Sequence, residues 1–235
     1  MQVDALGNEL HFNYKFEDLG FRAETPRRRA PQWVMQQVVC AYCLGVWKEG
    51  REGGVVMMYG QMEGDWYHGV LWFLACTKRM EEEGGLSESD QRLVKMHVEL
   101  AKREWLTRMV QVFLGEREIG KVEKWWEELM VEQALEKEKR VVKSRNMVLF
   151  FLAFYMGLYY DAVERDELKR GFWFDRCMNV ETDEDAEFSD DDLEYDVRRF
   201  LARVVDLKLI GRDYSEEIEK IAQKFAVSSK ERQRE

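Results

Sequence analysis

Three cysteines and one histidine in the first third of the chain have a spacing that could hold a metal ion. Cys40 and Cys43 are separated by two residues, and His68 and Cys76 follow further along the chain. Thiolate and imidazole groups suit a structural zinc ion, which takes four such ligands in a closed tetrahedral site. The sequence therefore contains one candidate zinc centre, formed by Cys40, Cys43, His68 and Cys76.

The order of these ligands is similar to that of inhibitor-of-apoptosis repeats. The resemblance is confined to residues 40–76, both gaps are longer here, and Leu44 stands where that family has glycine. It implies a zinc-stabilised interaction module. The other interpretation is that the cysteines are small buried residues, because Cys40 and Cys43 fall within a helical pattern whereas a zinc knuckle requires a turn.

The sequence lacks the common motifs of catalytic sites. It has no Gly-x-Ser-x-Gly, no phosphate-binding Gly-x4-Gly-Lys-Ser/Thr and no Glu-x-x-His. Carboxylates that could bind magnesium in a helical hydrolase are Glu127, Glu128, Asp161, Glu164 and Asp166. The alternative is that Asp161 forms a solvated pair with Arg165, four residues on. We therefore expect no catalytic residues, and a magnesium-dependent hydrolase is the enzymatic alternative.

Two basic clusters stand out against the net charge of −10. The first is Arg27, Arg28 and Arg29, and the second is Lys137, Lys139, Arg140, Lys143 and Arg145. On one face, with Trp33 or Trp126 for stacking, they would form a groove for single-stranded nucleic acid. The alternative is a solvated helix face, because Glu136 and Glu138 interrupt the second cluster.

The composition indicates a mainly α-helical fold. The 235 residues include only two prolines, Pro26 and Pro31, so helices after residue 31 would be ended mainly by glycines and polar caps. The fourteen residues Met147–Tyr160 contain no charged side chain, and we expect them to form a central helix that is buried on all sides. Any sheet would be small.

Local patterns predict the positions of the other elements. The alternation of Phe12, Tyr14 and Phe16 favours a short strand or hairpin, and Val55–Tyr59, bounded by glycines, is a second strand candidate. Helices are expected over about 31–48, after Asp65, over about 88–113, from Leu193, and over about 218–225, where Ile218, Ile221 and Phe225 recur.

These patterns predict that the chain is divided into four parts. They are an N-terminal strand or arm (1–30), a main helical domain (31–180), an acidic loop (181–192) and C-terminal helices packed on the main domain, with a frayed tail (193–235). Residues 181–196 contain ten acidic side chains, which cannot pack against one another.

The start of the chain lacks the pattern of a secretory signal, and we expect no apolar stretch to reach the roughly 18 residues that a membrane span needs. We therefore expect an intracellular protein, cytoplasmic or nuclear.

The eight tryptophans are an excess that favours a protein that binds other macromolecules. The candidate partner-binding residues are Trp33, Trp47 and Trp66, which lie at the edges of predicted helices. The sequence therefore predicts a non-catalytic helical protein that acts through a protein partner or self-association, a type common among viral accessory and structural proteins. A nucleic-acid-binding or packaging protein and a zinc-stabilised interaction module are the alternatives.

Overall fold

The computed structural model describes residues 29–59, 66–80, 86–136, 138–180 and 193–211. This part of the chain forms nine α-helices and contains no strand. The helices are α1 (Arg29–Cys43), α2 (Trp47–Tyr59), α3 (Trp66–Arg79), α4 (Glu88–Ala101), α5 (Glu104–Phe113), α6 (Ile119–Leu135), α7 (Lys139–Tyr159), α8 (Glu167–Met178) and α9 (Leu193–Asp206). A π-helical turn, Tyr160–Glu164, follows α7. The prediction of a mainly α-helical fold is confirmed.

Helix α7 is the centre of the molecule. From Leu149 to Leu158 its side chains have almost no solvent exposure, and it contacts α3, α5, α6, α8 and α9. Because this segment is apolar on every side, it is stable only where other helices cover it all round. The amphipathic helices pack their apolar stripes on α7 and leave their charged faces outward.

The strand predicted for Val55–Tyr59 is wrong, because these residues belong to α2. Glycines line the inner faces of this helix. A Cβ built at Gly53 would lie 2.5 Å from Val38 of α1, and one built at Gly54 would lie 3.0 Å from the backbone oxygen of Gly69 in α3. The low helix propensity of glycine is offset because its missing side chain lets three helices approach closely.

Two expected helices are each divided into two. The helix expected over 31–48 ends at Cys43, and Gly45 takes a positive φ of 75° before α2 begins at Trp47. The helix expected over 88–113 breaks at Lys102, which has a φ of 50°. Chain reversals at these points allow α2 and α5 to fold back on the core, although the apolar spacing continues through the breaks.

One helical stretch in the described part of the chain, Val141–Glu164, is long and apolar enough to span a membrane by length and composition. The helix reaches this length because it continues beyond both ends of the uncharged segment Met147–Tyr160. However, 89% of its most apolar window is buried inside the fold, and the core helix of a soluble protein passes the same test.

Several expectations concern residues outside the described part of the chain. These are the N-terminal hairpin with Phe12, Tyr14 and Phe16, the acidic loop over 181–192, and the last helix over 218–225. The first of the two C-terminal helices is described as α9, and it packs on α7 and α8.

Candidate functional site

The four candidate zinc ligands lie on two helices. Cys40 and Cys43 are on α1, whereas His68 and Cys76 are about two turns apart on α3. Within the described ranges, no three His, Cys, Asp or Glu side chains are grouped so that they could hold a metal ion. The structure therefore does not bring these four side chains together.

His68 is buried among aromatic rings. Its Nδ1 lies 2.6 Å from the hydroxyl of Tyr155, and its ring centroid lies 4.7 Å from that of Phe151 and 5.9 Å from that of Trp105. The side chain thus packs against α5 and α7. A histidine in this position serves the packing of the core.

Burial also fixes the charge state of this histidine. Desolvation, with a smaller contribution from Arg103, lowers the pKa of His68 from 6.5 to about 3. The imidazole is therefore neutral at pH 7. Its Nε2 and the indole Nε1 of Trp72, one turn further along α3, are buried without a hydrogen-bond partner in the structure. Burial likewise raises the pKa of the Cys76 thiol, so this thiol stays protonated.

Asp161 is the centre of a buried charged network. Its carboxylate accepts hydrogen bonds from the Tyr42 hydroxyl at 2.5 Å, from Arg79 Nη2 at 2.8 Å and from Arg170 Nη1 at 3.3 Å. Asp161 therefore pairs with Arg79 and Arg170, and the alternative of a solvated pair with Arg165 is wrong. The network joins α1, α3, the π-helical turn and α8.

The other carboxylates proposed for magnesium do not join Asp161. Glu127 and Glu128 are exposed on α6, Glu164 accepts a hydrogen bond from Tyr159, and Asp166 caps the start of α8. Around Asp161 itself, burial and then the nearby carboxylate raise the pKa of Tyr42 well above its usual value. The phenol therefore remains a hydrogen-bond donor at all ordinary pH values.

The basic clusters are described only in part. Arg27, Arg28 and Lys137 lie outside the described residues, as do the side chains of Arg29, Lys139 and Arg140. Of the remaining two, Lys143 is half-buried, and Arg145 Nη2 forms an ion pair with Glu132 at 3.4 Å. That both clusters lie on one face stays a prediction of the nucleic-acid-binding alternative.

Most of the six tryptophan side chains that the structure describes are core residues. Four of them, Trp72, Trp105, Trp126 and Trp173, are buried. Of the three predicted partner-binding residues, Trp33 and Trp66 have side chains outside the described part, and Trp47 is half-buried with the Arg79 guanidinium 5.7 Å from its ring centroid. The structure thus describes one of the three, at the edge of the Asp161 network.

A more exposed apolar surface lies on the outer side of α8. Leu168 is 88% exposed, Phe172 is 48% exposed, and Met178 is also exposed. Between them, a Cβ built at Gly171 would meet no atom within 4 Å. The outer surface of α8 formed by Leu168, Gly171, Phe172, Asp175 and Met178 is called the α8 face below.

One edge of the α8 face carries an arginine that lies over aromatic rings. The Cζ atom of Arg176 is 4.4 Å from the ring centroid of Phe172, 4.9 Å from that of Trp126 and 5.4 Å from that of Trp173. A cation over an aromatic ring contributes roughly 0.5–1 kcal/mol at an exposed site. These contacts hold Arg176 and Phe172 in place beside the exposed leucine.

The rings beneath Arg176 are themselves fixed by hydrogen bonds. Glu123 Oε1 of α6 accepts from the Trp173 indole at 3.1 Å and from the Tyr160 hydroxyl at 2.7 Å, and Trp126 Nε1 donates to the Leu149 carbonyl oxygen at 2.9 Å. Burial and the Glu123 carboxylate raise the pKa of Tyr160. The α8 face therefore stands on a rigid base made by α6, α7 and α8.

Sequence reasoning missed this surface, although a signal was present. Leu168 and Phe172 are four residues apart, whereas Trp173, Phe174 and Cys177 form the buried stripe of the same helix. Two apolar stripes on a helix of twelve residues exceed what one core contact needs.

Comparison with known proteins gave no further information: no family model matches the chain, and no curated protein or solved structure matches it.

Proposed function

We propose that this is a non-catalytic intracellular protein that binds a protein partner through the α8 face. The observation that carries the proposal is the exposure of Leu168 and Phe172 beside an arginine stacked on aromatic rings. Aromatic residues, methionine and arginine are enriched at protein interfaces relative to the rest of the surface. Exposed leucines alone would not support this proposal, because single apolar side chains are normal on protein surfaces.

Other exposed apolar side chains in the described structure serve as a comparison. They are Val56, Met96, Leu100, Met130, Val131, Leu135 and Leu207. The α8 face differs from them because Arg176 lies over its aromatic residue, Phe172, and Glu123 holds the buried Trp173 beneath it. A surface whose side chains are already ordered loses less conformational entropy when a partner binds.

The shape of the α8 face indicates the kind of partner. Its apolar residues lie along one side of a single helix, and Gly171 leaves room for another backbone to approach. An amphipathic helix with apolar residues three and four apart would pack along this side. We therefore propose a helical partner segment.

The interior polar groups support a structural role for the rest of the molecule. His68 packs within the aromatic core, and Asp161 is engaged by Tyr42 and two arginines. These groups stabilise the scaffold that presents the α8 face. Their arrangement is consistent with a binding protein whose function resides at its surface.

Photocrosslinking in cells tests this proposal. The photoreactive residue p-benzoylphenylalanine replaces Leu168 in one chain and Leu100 of α4, which is 64% exposed, in a control chain. We expect a protein adduct with the first chain that Phe172→Asp reduces by about tenfold, since hot-spot residues carry most of the binding energy. Adducts of equal yield at both positions, or adducts with nucleic acid alone, would contradict the proposal.

A further inference from the structure

We infer that the C-terminal segment of this chain, residues 212–235, binds the α8 face of its own molecule and must be displaced before a partner can bind. This inference rests on the proposed function of the α8 face, and it adds a regulation of that site. It depends on where the described chain ends, on the length that follows, and on the apolar pattern of that length.

The described chain ends against α8. Gly211 has a φ of 80°, and a Cβ built on it would lie 2.1 Å from Arg170 Nη1. Its backbone therefore packs directly on the guanidinium of Arg170, which also binds Asp161. Arg170 lies between Leu168 and Phe172 in sequence but on the inner side of α8, about 3 Å along the axis from each.

The remaining chain is long enough to reach the outer side. The path halfway around a helix with its side chains is about 16–19 Å. Residues 212–217 span about 20 Å when extended. Residue 218 can therefore reach the α8 face from the position that Gly211 occupies.

The apolar side chains of the segment would match those of the α8 face in character and in the length that they cover. The spacing of Tyr214, Ile218, Ile221, Ala222 and Phe225 would place them on one side if this segment is a helix. Residues 218–225 would cover about 12 Å as a helix, and Leu168 to Met178 covers about 15 Å. A second apolar helix laid on the first covers side chains that are exposed on both.

The consequence is a competition at one surface. The segment is tethered to the scaffold at Gly211, so its effective concentration at the α8 face is high. A partner helix must then compete with residues 218–225 for Leu168 and Phe172. Partner binding would release the C-terminal segment.

The full chain with p-benzoylphenylalanine at position 168 tests this inference in purified form. Irradiation should join position 168 to a peptide within residues 212–235, and mass spectrometry identifies that peptide. An equimolar mixture of ¹⁴N and ¹⁵N chains separates adducts within one chain from adducts between two chains. The control chain carries the photoreactive residue at position 100.

The variant Ile221→Asp provides the second measurement. It places a charge in the apolar pattern of the segment. We expect it to reduce the intrachain adduct by about tenfold and to increase the adduct with the partner protein in cells, because the competitor is weakened. Circular dichroism confirms that the scaffold remains folded.

The adducts formed at position 168 test the further inference and the proposed function separately. An intrachain adduct that depends on Ile221 supports the inference. An adduct only between two chains, or a partner adduct with no intrachain adduct, overturns the inference and leaves the proposed function standing. Absence of both kinds of adduct at position 168 overturns both.

Discussion

The hydroxyl of Tyr42 donates a 2.5 Å hydrogen bond to Asp161, a residue 119 positions further along the chain. This contact joins the first described helix to the turn that follows the central helix. Arg79 and Arg170 bind the same carboxylate from α3 and α8. The network therefore fixes the position of α8 against the core.

The Asp161→Asn substitution tests the contribution of this network to stability. The amide keeps the size of the side chain, but the Arg79 and Arg170 guanidiniums lose their common counter-ion. Breaking a buried ion pair costs roughly 3–5 kcal/mol, and both arginine side chains are 21% exposed, so we expect a loss of about 2–3 kcal/mol. Urea unfolding measures it.

The matched control is Glu128→Gln, which removes an exposed ion pair with Lys124 on α6. An exposed pair of this kind contributes roughly 0–1 kcal/mol. If the two variants lose the same stability, the buried network is no more important than a surface pair, and the prediction is wrong.

The buried imidazole of His68 predicts a pH dependence of stability. Its pKa is lowered from 6.5 to about 3 in the folded state, so the unfolded chain binds a proton that the folded chain does not. The stability contributed by the neutral imidazole is complete above pH 6.5 and is lost as the pH falls towards 3. The slope from this group is at most about 1.4 kcal/mol per pH unit.

Urea unfolding of the wild type and of His68→Phe between pH 7 and pH 4 measures this slope. Phenylalanine keeps an aromatic ring beside Phe151 and Trp105 but cannot bind a proton. We expect the free energy of unfolding of the variant to fall less steeply with decreasing pH than that of the wild type. Parallel curves would show that His68 is not responsible for the pH dependence.

The sequence predicted the helical class and the central helix because both depend on composition and on the hydrophobic pattern along the chain. It did not predict that Gly53 and Gly54 lie within a helix, since their neighbours in α1 and α3 are distant in sequence. It left His68 open as a candidate metal ligand, because residue type and spacing do not reveal that Tyr155 and Trp105 surround it.

The α8 face illustrates the same limit at the surface. The sequence analysis selected three tryptophans as partner-binding residues because tryptophan is abundant in this chain and these three lie at the edges of predicted helices. In the structure, Trp126 and Trp173 are the buried base on which Arg176 and Phe172 rest. Which of these residues is exposed and which is buried beneath it depends on how α6, α7 and α8 pack together. Helical spacing alone does not give this information.

A charge in the central helix should prevent folding. Phe151 stacks on Trp105 with ring centroids 5.5 Å apart and is almost fully buried. Phe151→Asp places an unpaired carboxylate there, at a cost comparable to the 5–15 kcal/mol stability of a typical domain. We expect insoluble or unfolded protein, whereas Leu100→Asp should fold normally. A cooperative thermal transition for Phe151→Asp would refute the central position of α7.

Two glycines that both lie within helices should respond in opposite directions to alanine. A Cβ at Gly157 of α7 would lie 2.6 Å from two atoms of the Phe174 ring, whereas one at Gly171 of α8 would meet no atom within 4 Å. Alanine favours a helix over glycine by about 1 kcal/mol, and overpacking costs about 1–3 kcal/mol. Gly171→Ala should therefore raise the free energy of unfolding by about 0.5–1 kcal/mol, and Gly157→Ala should lower it. Thermal and urea unfolding measure both changes, and stabilisation by Gly157→Ala would show that α8 does not pack closely on α7.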